Sequence, residues 1–537
     1  MYSGAAKIVF KTLDISELVP AVATSIGAIV VDSDKGNIDV PQLITNKAQF
    51  IDEYGKPAVS DYAMHAALGF LINGQRLYVQ RVVKNALYGG LEIKKSGSVE
   101  ANAGWAAGQA TPKSSYSFGA DGLIAICGKD PGTWNNNLSV IVTIIDAVTD
   151  LTFKIDVYYP DDDGAAQLVE SFTVSRKRQV DGFGRQMYLT NVINGESDYI
   201  YVIDNTAEAD TVMPKAQATT LAMLSGSNGI AVTDTEVVAG WDKFAELTSY
   251  PVNILINGGF TSVTVQTKMR TVAEGRSYDC VCVLDMPYSE LDSVTDQVTW
   301  RSSTQNFNTS YCALYSPWIK IFDEYNGQII SIPPSGDIAG IYALTDYIYG
   351  GAHGAPAGYN RGTLTRCLQL SFGSNVNKIA YTSGERDTLD DAQINVLMND
   401  PAWGIIVFGE GTEQTKLTAL SNVHVRRLIN QIAVATTAAS KNYLFEPLLE
   451  RTYFRVRLTL EQFMAELEGL GAFDNVDDRG WKVVCDATNN TAADRDRNQL
   501  NVWLFIKPVK VAKYIEIKGI ITRSTASFEA IIAAGLV

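Results

Sequence analysis

Apolar positions run through this chain in three rhythms. Residues 23–31 (ATSIGAIVV) form an apolar run without the polar alternation of a half-exposed strand, and they read as a buried strand. A polar turn at 32–37 follows, a second strand begins at 40–44, and 46–54 reads as a short helix stopped by Gly55. Over 61–72 the residues Tyr62, Ala66 and Phe70, with Leu68 and Leu71, recur at helical spacing. Asn73 and Gly74 end that helix, and 77–83 (LYVQRVV) returns to period two. The second rhythm fills the middle of the chain. Runs at 138–145, 152–159, 170–174 and 199–203 alternate between turn residues such as 161–164 (DDDG) and Asn194-Gly195, which predicts a mostly-β region. Beyond 228, short apolar runs at 252–256, 280–284, 311–314 and 319–322 are spaced by helical stretches such as 262–274. That is the pattern of a parallel sheet with helices on its faces. The last third predicts helices at 390–398, 423–440 and 458–470 and a closing strand pair at 499–508 and 513–522.

Two shifts in composition mark boundaries, a Gly, Ala, Ser and Lys stretch at 91–111 and a small polar stretch at 207–228 that reads as a linker. The expected organisation is an extended N-terminal arm over 1–20, the N-terminal part of a core over 21–90 and a mostly-β insertion over 91–228. An α/β domain over 229–375, a C-terminal core domain over 376–510 and a C-terminal strand arm over 511–537 complete it.

A length of 537 residues suits two to four domains, and 46% hydrophobic with 19% charged residues is ordinary globular composition. The net charge of −15, with no standout run of Lys or Arg, lacks the basic footprint of a nucleic-acid binder, so no nucleic-acid partner is expected. Six scattered cysteines read as core thiols of a protein folded in a reducing compartment; in a strand Cys280 and Cys282 would share one face. No apolar run reaches signal-peptide length or the roughly 20 residues of a membrane span, so the expectation is a soluble chain made inside the cell, with no membrane partner.

The search for chemistry finds little. A triad needs Ser or Cys beside His, and the three histidines are His65 in an Ala- and Leu-packed helix, His353 in a Gly-rich turn and His424 at a helix start beside Arg426 and Arg427. Ser335 follows Pro333 and Pro334, which suits a rigid turn better than a nucleophile turn, and no G-x-S-x-G is present. Nor is there an H-E-x-x-H or a phosphate loop, and Gly409-Glu410-Gly411 puts an acid where phosphate would sit. The 161–164 turn lacks the spaced ligands of a calcium loop. No catalytic residue, metal or cofactor is expected, which favours an assembly protein over an enzyme.

Against that background several motifs resemble one family. Residues 23–30, 41–45, Phe50 and Tyr54-Gly55, then 70–74 and 78–82, are similar to the opening strands and helices of contractile tail sheath proteins of phages and related injection systems. Pro131-Gly132-Thr133-Trp134 resembles the start of the family's inserted β region, although Asn135 stands where Gly is usual. Ala313-Leu314-Tyr315, Pro317-Trp318, Pro333-Pro334-Ser335-Gly336, Ala339-Gly340, Tyr342, Asp346 and Ala355-Pro356-Ala357 look like its α/β signature. Arg426-Arg427, Phe445-Glu446-Pro447, Gly471-Ala472, Cys485 and Asn489 resemble its C-terminal domain. The resemblance implies an α+β multidomain fold: a sheath core built from both chain termini, a subtilisin-like but non-catalytic α/β domain and a mostly-β inserted domain. It also implies a structural subunit that stacks as hexameric rings on a tail tube protein, with baseplate and tail terminator proteins as further partners. The assembly takes place in the host cytoplasm and the product is a virion tail.

The resemblance further implies arms that add strands to neighbouring subunits, and the residues suit this. Ile8, Val9 and Phe10 form a short β-prone run, and Tyr514, Ile515, Glu516 and Ile517 alternate in the C-terminal arm. Arg426 and Arg427 could face an acidic tube or be held by ion pairs within the chain. A subtilisin-like hydrolase and another tail protein, of the tube or baseplate, remain the alternatives.

Overall fold

In the computed structural model the described residues are 23–513, apart from 162, 248, 277, 477 and 478. They fall into two compact units that divide between Asn442 and Tyr443. The protein is a mixed α/β chain with several sheets.

The first unit opens with β1 (Gly27–Val31), β2 (Gln42–Ile44), α1 (Lys47–Tyr54), α2 (Tyr62–Phe70) and β3 (Leu77–Arg81). Asn46 accepts the Gln49 N–H to cap α1, and Gly55 closes that helix at φ 87°. Gly36, in the turn after β1, stands at φ 114° with the Tyr54 ring against it, where a side chain has neither the conformation nor the space.

The chain then builds a lobe from β4 (Gly90–Lys94), β5 (Ala103–Gly104), β6 (Gly122–Gly128), β7 (Ser139–Asp146), β8 (Thr152–Pro160), β9 (Ala166–Ser175), α3 (Leu189–Glu196), β10 (Ile200–Asp204) and β11 (Leu221–Ala222). Two antiparallel sheets result, ordered β10-β6-β4-β5 and β11-β7-β8-β9. Leu91, Ile124, Ile126, Val140, Val142, Phe153, Ile155 and Val157 form a core of the lobe's own. The stretch 207–228, expected as a linker, instead runs back along the lobe. β11 pairs with β7, and Gly90 and Leu224 exchange backbone hydrogen bonds, because its peptide groups find partners on the open strands.

Beyond the lobe come α4 (Asp234–Asp242), β12 (Ile254–Ile256), α5 (Val263–Gly275), β13 (Val281–Asp285), α6 (Val294–Thr299), β14 (Cys312–Ser316), β15 (Trp318–Asp323), β16 (Gln328–Ile332), α7 (Ser335–Tyr349), β17 (Cys367–Ser371), α8 (Ser383–Asp391), β18 (Ile394–Asp400), β19 (Gly404–Val407) and α9 (Val423–Ser440). The main sheet has eight strands in the order β19-β18-β14-β13-β12-β1-β3-β2. Its pairings are parallel from β3 to β18, and β2 and β19 are antiparallel edges.

This arrangement corrects three expectations. Segments 21–90 and 229–375 are not separate layers, since β1 lies between β3 and β12 in one sheet. The run at 319–322 joins a small antiparallel sheet, β16-β15-β17, rather than the parallel one. The helix expected over 390–398 ends at Asp391, and Ile394 and Val396 continue as β18 because they are buried in register with Leu314 and Ser316.

The second unit holds α10 (Glu450–Gly469), β20 (Trp481–Val484), α11 (Ala492–Asp496) and β21 (Trp503–Ile506). A C-terminal core over 376–510 is therefore divided: β18, β19 and α9 belong to the first unit and 443–513 to the second. β21 pairs with β20; the run expected to pair with it, 513–522, lies outside the described residues from 514 onward.

Candidate functional site

A doubly wound parallel sheet offers a binding crevice at the carboxyl ends of its strands where the winding reverses. Here that point lies between β1 and β12, and α2 closes it. The Gly258 backbone packs on Ala63, and that of Gly259 on Tyr62 and Pro333.

Beside it stands Ser335 at the start of α7. Its hydroxyl donates to Asp285 Oδ2 at 2.6 Å, its N–H donates to Oδ1 at 2.8 Å, and its oxygen accepts the Gly258 N–H at 3.0 Å. Gly259 N–H donates to the same carboxylate at 3.2 Å. Ser335 and Asp285 are fully buried. Burial pushes the Asp285 carboxyl up to about 7, against the pull of the Ser335 hydroxyl and N–H. A network of Asn257, Gln266 and Gln305 continues inward from this pair. The serine thus ties α7 to the ends of β12 and β13, and its proton is committed to a carboxylate.

The histidines stand apart from this pair. His65 Nε2 lies 3.1 Å from the Ala58 carbonyl, His353 meets Tyr349 edge to face, and His424 Nδ1 lies 2.6 Å from Glu410 Oε2. Glu410 is thus the partner of a buried histidine. Arg426 and Arg427 are buried too, and an ion pair within the chain holds Arg427. Arg427 grips Asp346 through two bonds of 2.8 and 2.6 Å, reaches the Thr24 carbonyl at 3.2 Å and lies over the Tyr342 ring. Arg426 bonds Asn430 and stacks on Tyr311.

The motif residues separate into two groups. Trp318 donates its indole N–H to the Met286 carbonyl and packs on Tyr62 and Tyr288; Pro333, Pro334, Ser335 and Gly336 lie at the same end of the sheet, and Pro356 is buried beyond α7. Phe445, Glu446 and Pro447 belong to the second unit and are exposed on the approach to α10. The arm residues Ile8, Val9, Phe10, Tyr514, Ile515, Glu516 and Ile517 lie outside the described residues.

The second unit carries a two-stranded sheet with an exposed aromatic face. β20 and β21 pair only with each other among the described strands, and Trp503 and Phe505 project outward from β21, both more than half exposed. The opposite face is anchored: Trp481 donates its indole N–H to Glu468 on α10 and lies under the Arg479 guanidinium.

The profile of the phage tail sheath protein central domain matches residues 230–412, and that of the phage tail sheath C-terminal domain matches 415–522, more than half of the chain together. The chain belongs to the phage tail sheath family. The sheath chain is 28% identical over 384 residues to the tail sheath protein of Enterobacteria phage T4, covering 67% of this chain and 55% of that protein. It is 29% identical over 273 residues to the tail sheath protein of Vibrio phage KVP40, covering 47% and 38%. The chain thus spans about half the length, or less, of these curated relatives. Its fold is similar to the sheath tail protein of Listeria innocua, with TM-score 0.57 at 12% identity, covering 88% of this chain and 91% of that one. It is also similar to an extracellular contractile injection system sheath in its contracted state, with TM-score 0.53 at 15% identity over 99% of each chain.

Some organising residues of this sheath chain have no motif. Asp285 lies 50 positions from Ser335, and only folding brings the two together. Arg81 bonds the carbonyls of Ser33, Asp34, Gly36 and Pro131. It lies inside the 78–82 segment, but nothing in the sequence tells which carbonyls it binds.

Proposed function

We propose that this chain is a contractile tail sheath subunit. It polymerises as hexameric rings around a tail tube, docks on baseplate and terminator proteins, and contracts to drive the tube through a cell envelope. The assembly is completed in the host cytoplasm and works as part of a virion tail. The observation that carries this reading is the pair of sheath profiles, which run almost without a gap from 230 to 522.

In this reading the eight-stranded body, built from 21–90 together with 229–442, corresponds to a subtilisin-like α/β layer without catalytic residues, and 91–228 to an inserted lobe. Residues 1–20 and 511–537 act as donated arms, with Ile8, Val9 and Phe10 at one end and Tyr514, Ile515, Glu516 and Ile517 at the other. The β20–β21 pair suits the acceptor role, because a two-stranded sheet is marginal alone and no other described strand pairs with its outer edges, where an incoming strand could add. A five-residue strand adds roughly four backbone bonds at about 1 kcal/mol each, a few kcal/mol per arm that accumulates along a polymer. Contraction then needs two packings of one rigid body, the extended one metastable.

Negative-stain microscopy of the expressed protein is expected to show hollow cylinders. Deleting 1–18 or 511–537 is expected to leave soluble monomers; normal cylinders from both truncations would defeat the arm model. The hydrolase alternative requires a serine-reactive probe to label Ser335, which burial and the Asp285 bond oppose. A tube or baseplate role would give particles without the hollow cylinder.

A further inference from the structure

Lys35 sits in the turn between β1 and β2, and its ammonium enters a cage of three aromatic rings from the lobe. Nζ lies 5.3 Å from the Trp134 ring centroid, 5.8 Å from Tyr159 and 5.2 Å from Tyr199. The rings support one another, with Trp134 6.5 Å from Tyr159 and Tyr159 5.7 Å from Tyr199. They come from three places in the lobe: the turn before β7, the end of β8 and the approach to β10. The same ammonium donates to the Asp52 carbonyl at 2.8 Å, in the last turn of α1, where the helix dipole is negative. A lysine ammonium is strongly hydrated, so it leaves water only where rings and carbonyls replace that shell.

The turn that carries Lys35 is itself fixed to the body. Arg81 on β3 binds its carbonyls at Ser33, Asp34 and Gly36. The lobe joins the body by two chain crossings, 82–89 and 223–233, beside which Arg81 also bonds the Pro131 carbonyl and Asn228 the Asp34 carboxylate. The Lys35 cage adds to these ties a contact with three rings of the lobe at once.

We infer that Lys35 is a cation–π latch that holds the two-sheet lobe in one orientation on the eight-stranded body. The latch is local: a cation on a braced turn of the body is captured by rings of the lobe. It concerns the single chain and does not rest on the sheath reading, so either can fail alone.

The test uses the full chain with spin labels at Ser171→Cys on the lobe and Asp387→Cys on the body, both exposed positions. The five buried native thiols are left in place, and the half-buried Cys367 is replaced by Cys367→Ser. With Lys35 present a single narrow distance is expected. Lys35→Ala is expected to broaden it at least twofold and to speed amide exchange at 84–89 and 224–230 by about tenfold, within the range of one desolvated cation–π contact. Propylammonium replaces the deleted atoms and is expected to restore the narrow distance, whereas 1-propanol of like size is not. Lys35→Met keeps the apolar stem and is expected to behave as Lys35→Ala. Tyr199→Leu, a change at a half-buried ring, is expected to broaden the distance in the same way and serves if the alanine variant fails to fold. An unchanged distance in Lys35→Ala and Tyr199→Leu, full function of the latch in Lys35→Met, or equal rescue by 1-propanol would each overturn the inference.

Discussion

The main sheet and the β11-β7-β8-β9 sheet of the lobe solve the same burial problem differently. β1, β13 and β14 are buried at every residue, because parallel strands carry helices on both faces. β7 in the lobe alternates instead: Val140 and Val142 are buried while Thr143 and Ile145 face water. Burial and exposure also divide individual carboxylates, whichever part of the chain they stand in. Asp285 and Glu413, inside the body, are each pushed up to about 7 by burial. In the lobe Asp146, Asp161 and Asp181 accept backbone N–H groups in exposed turns and are held below the ordinary carboxylate range. A layer closed on both faces can hold charge only by protonation or pairing, whereas an open face uses charge to shape its turns.

The sharpest way to break the comparison is at the closest packing. A methyl group on Gly336 would come within 2.0 Å of the Ala66 carbonyl oxygen, between α7 and α2. Gly336→Ala is expected to cost the body about 3 kcal/mol or more, the upper range for overpacking, in urea unfolding followed by hydrogen exchange. Gly182→Ala, in an open turn of the lobe with nothing near it, should stay within about 0.5 kcal/mol. Equal losses at both sites would erase the distinction.

The second test is the opposite response to pH. Asp285 and Glu413 bind protons more tightly folded than unfolded, with ordinary values of 3.8 and 4.5. Their contribution is therefore fully present below about pH 4 and is lost as pH rises through about 7. The lobe aspartates have lowered values, so their contribution is present above about pH 4 and is lost as pH falls further. Amide exchange of β13 should quicken from pH 5 to 8, relative to its intrinsic rate, while β7 and β8 should not change. Asp285→Asn should flatten the β13 trend, and an unaltered slope would remove this carboxyl from the account.

The smallest effect compares single methyl deletions. Ile29→Val, at a fully buried site in β1, is expected to cost about 0.5–1.5 kcal/mol. Ile145→Val, on the open face of β7, should be near zero in the same denaturation measurement.

Local signals were readable where one segment supplies its own partners. α1 lies between its Asn46 cap and Gly55 stop, and α9 spans the 423–440 expected from its periodicity. Around Ile394 the apolar spacing suited a helix, yet pairing with β14 made a strand, because a buried edge of the sheet was waiting there. Trp481–Val484 was not read as a strand, and only folding brought it alongside β21.

By itself the sequence determined the rhythm of strands and helices, the scarcity of catalytic motifs and the run of family motifs, all of which reside in neighbouring residues or in residue type. Tertiary structure alone decided that β1 lies between β3 and β12, that Ser335 meets Asp285 and that Lys35 finds its three rings. Such contacts join positions far apart in the chain, and their free energy comes from burial and from replacing water around polar groups, which no local pattern records.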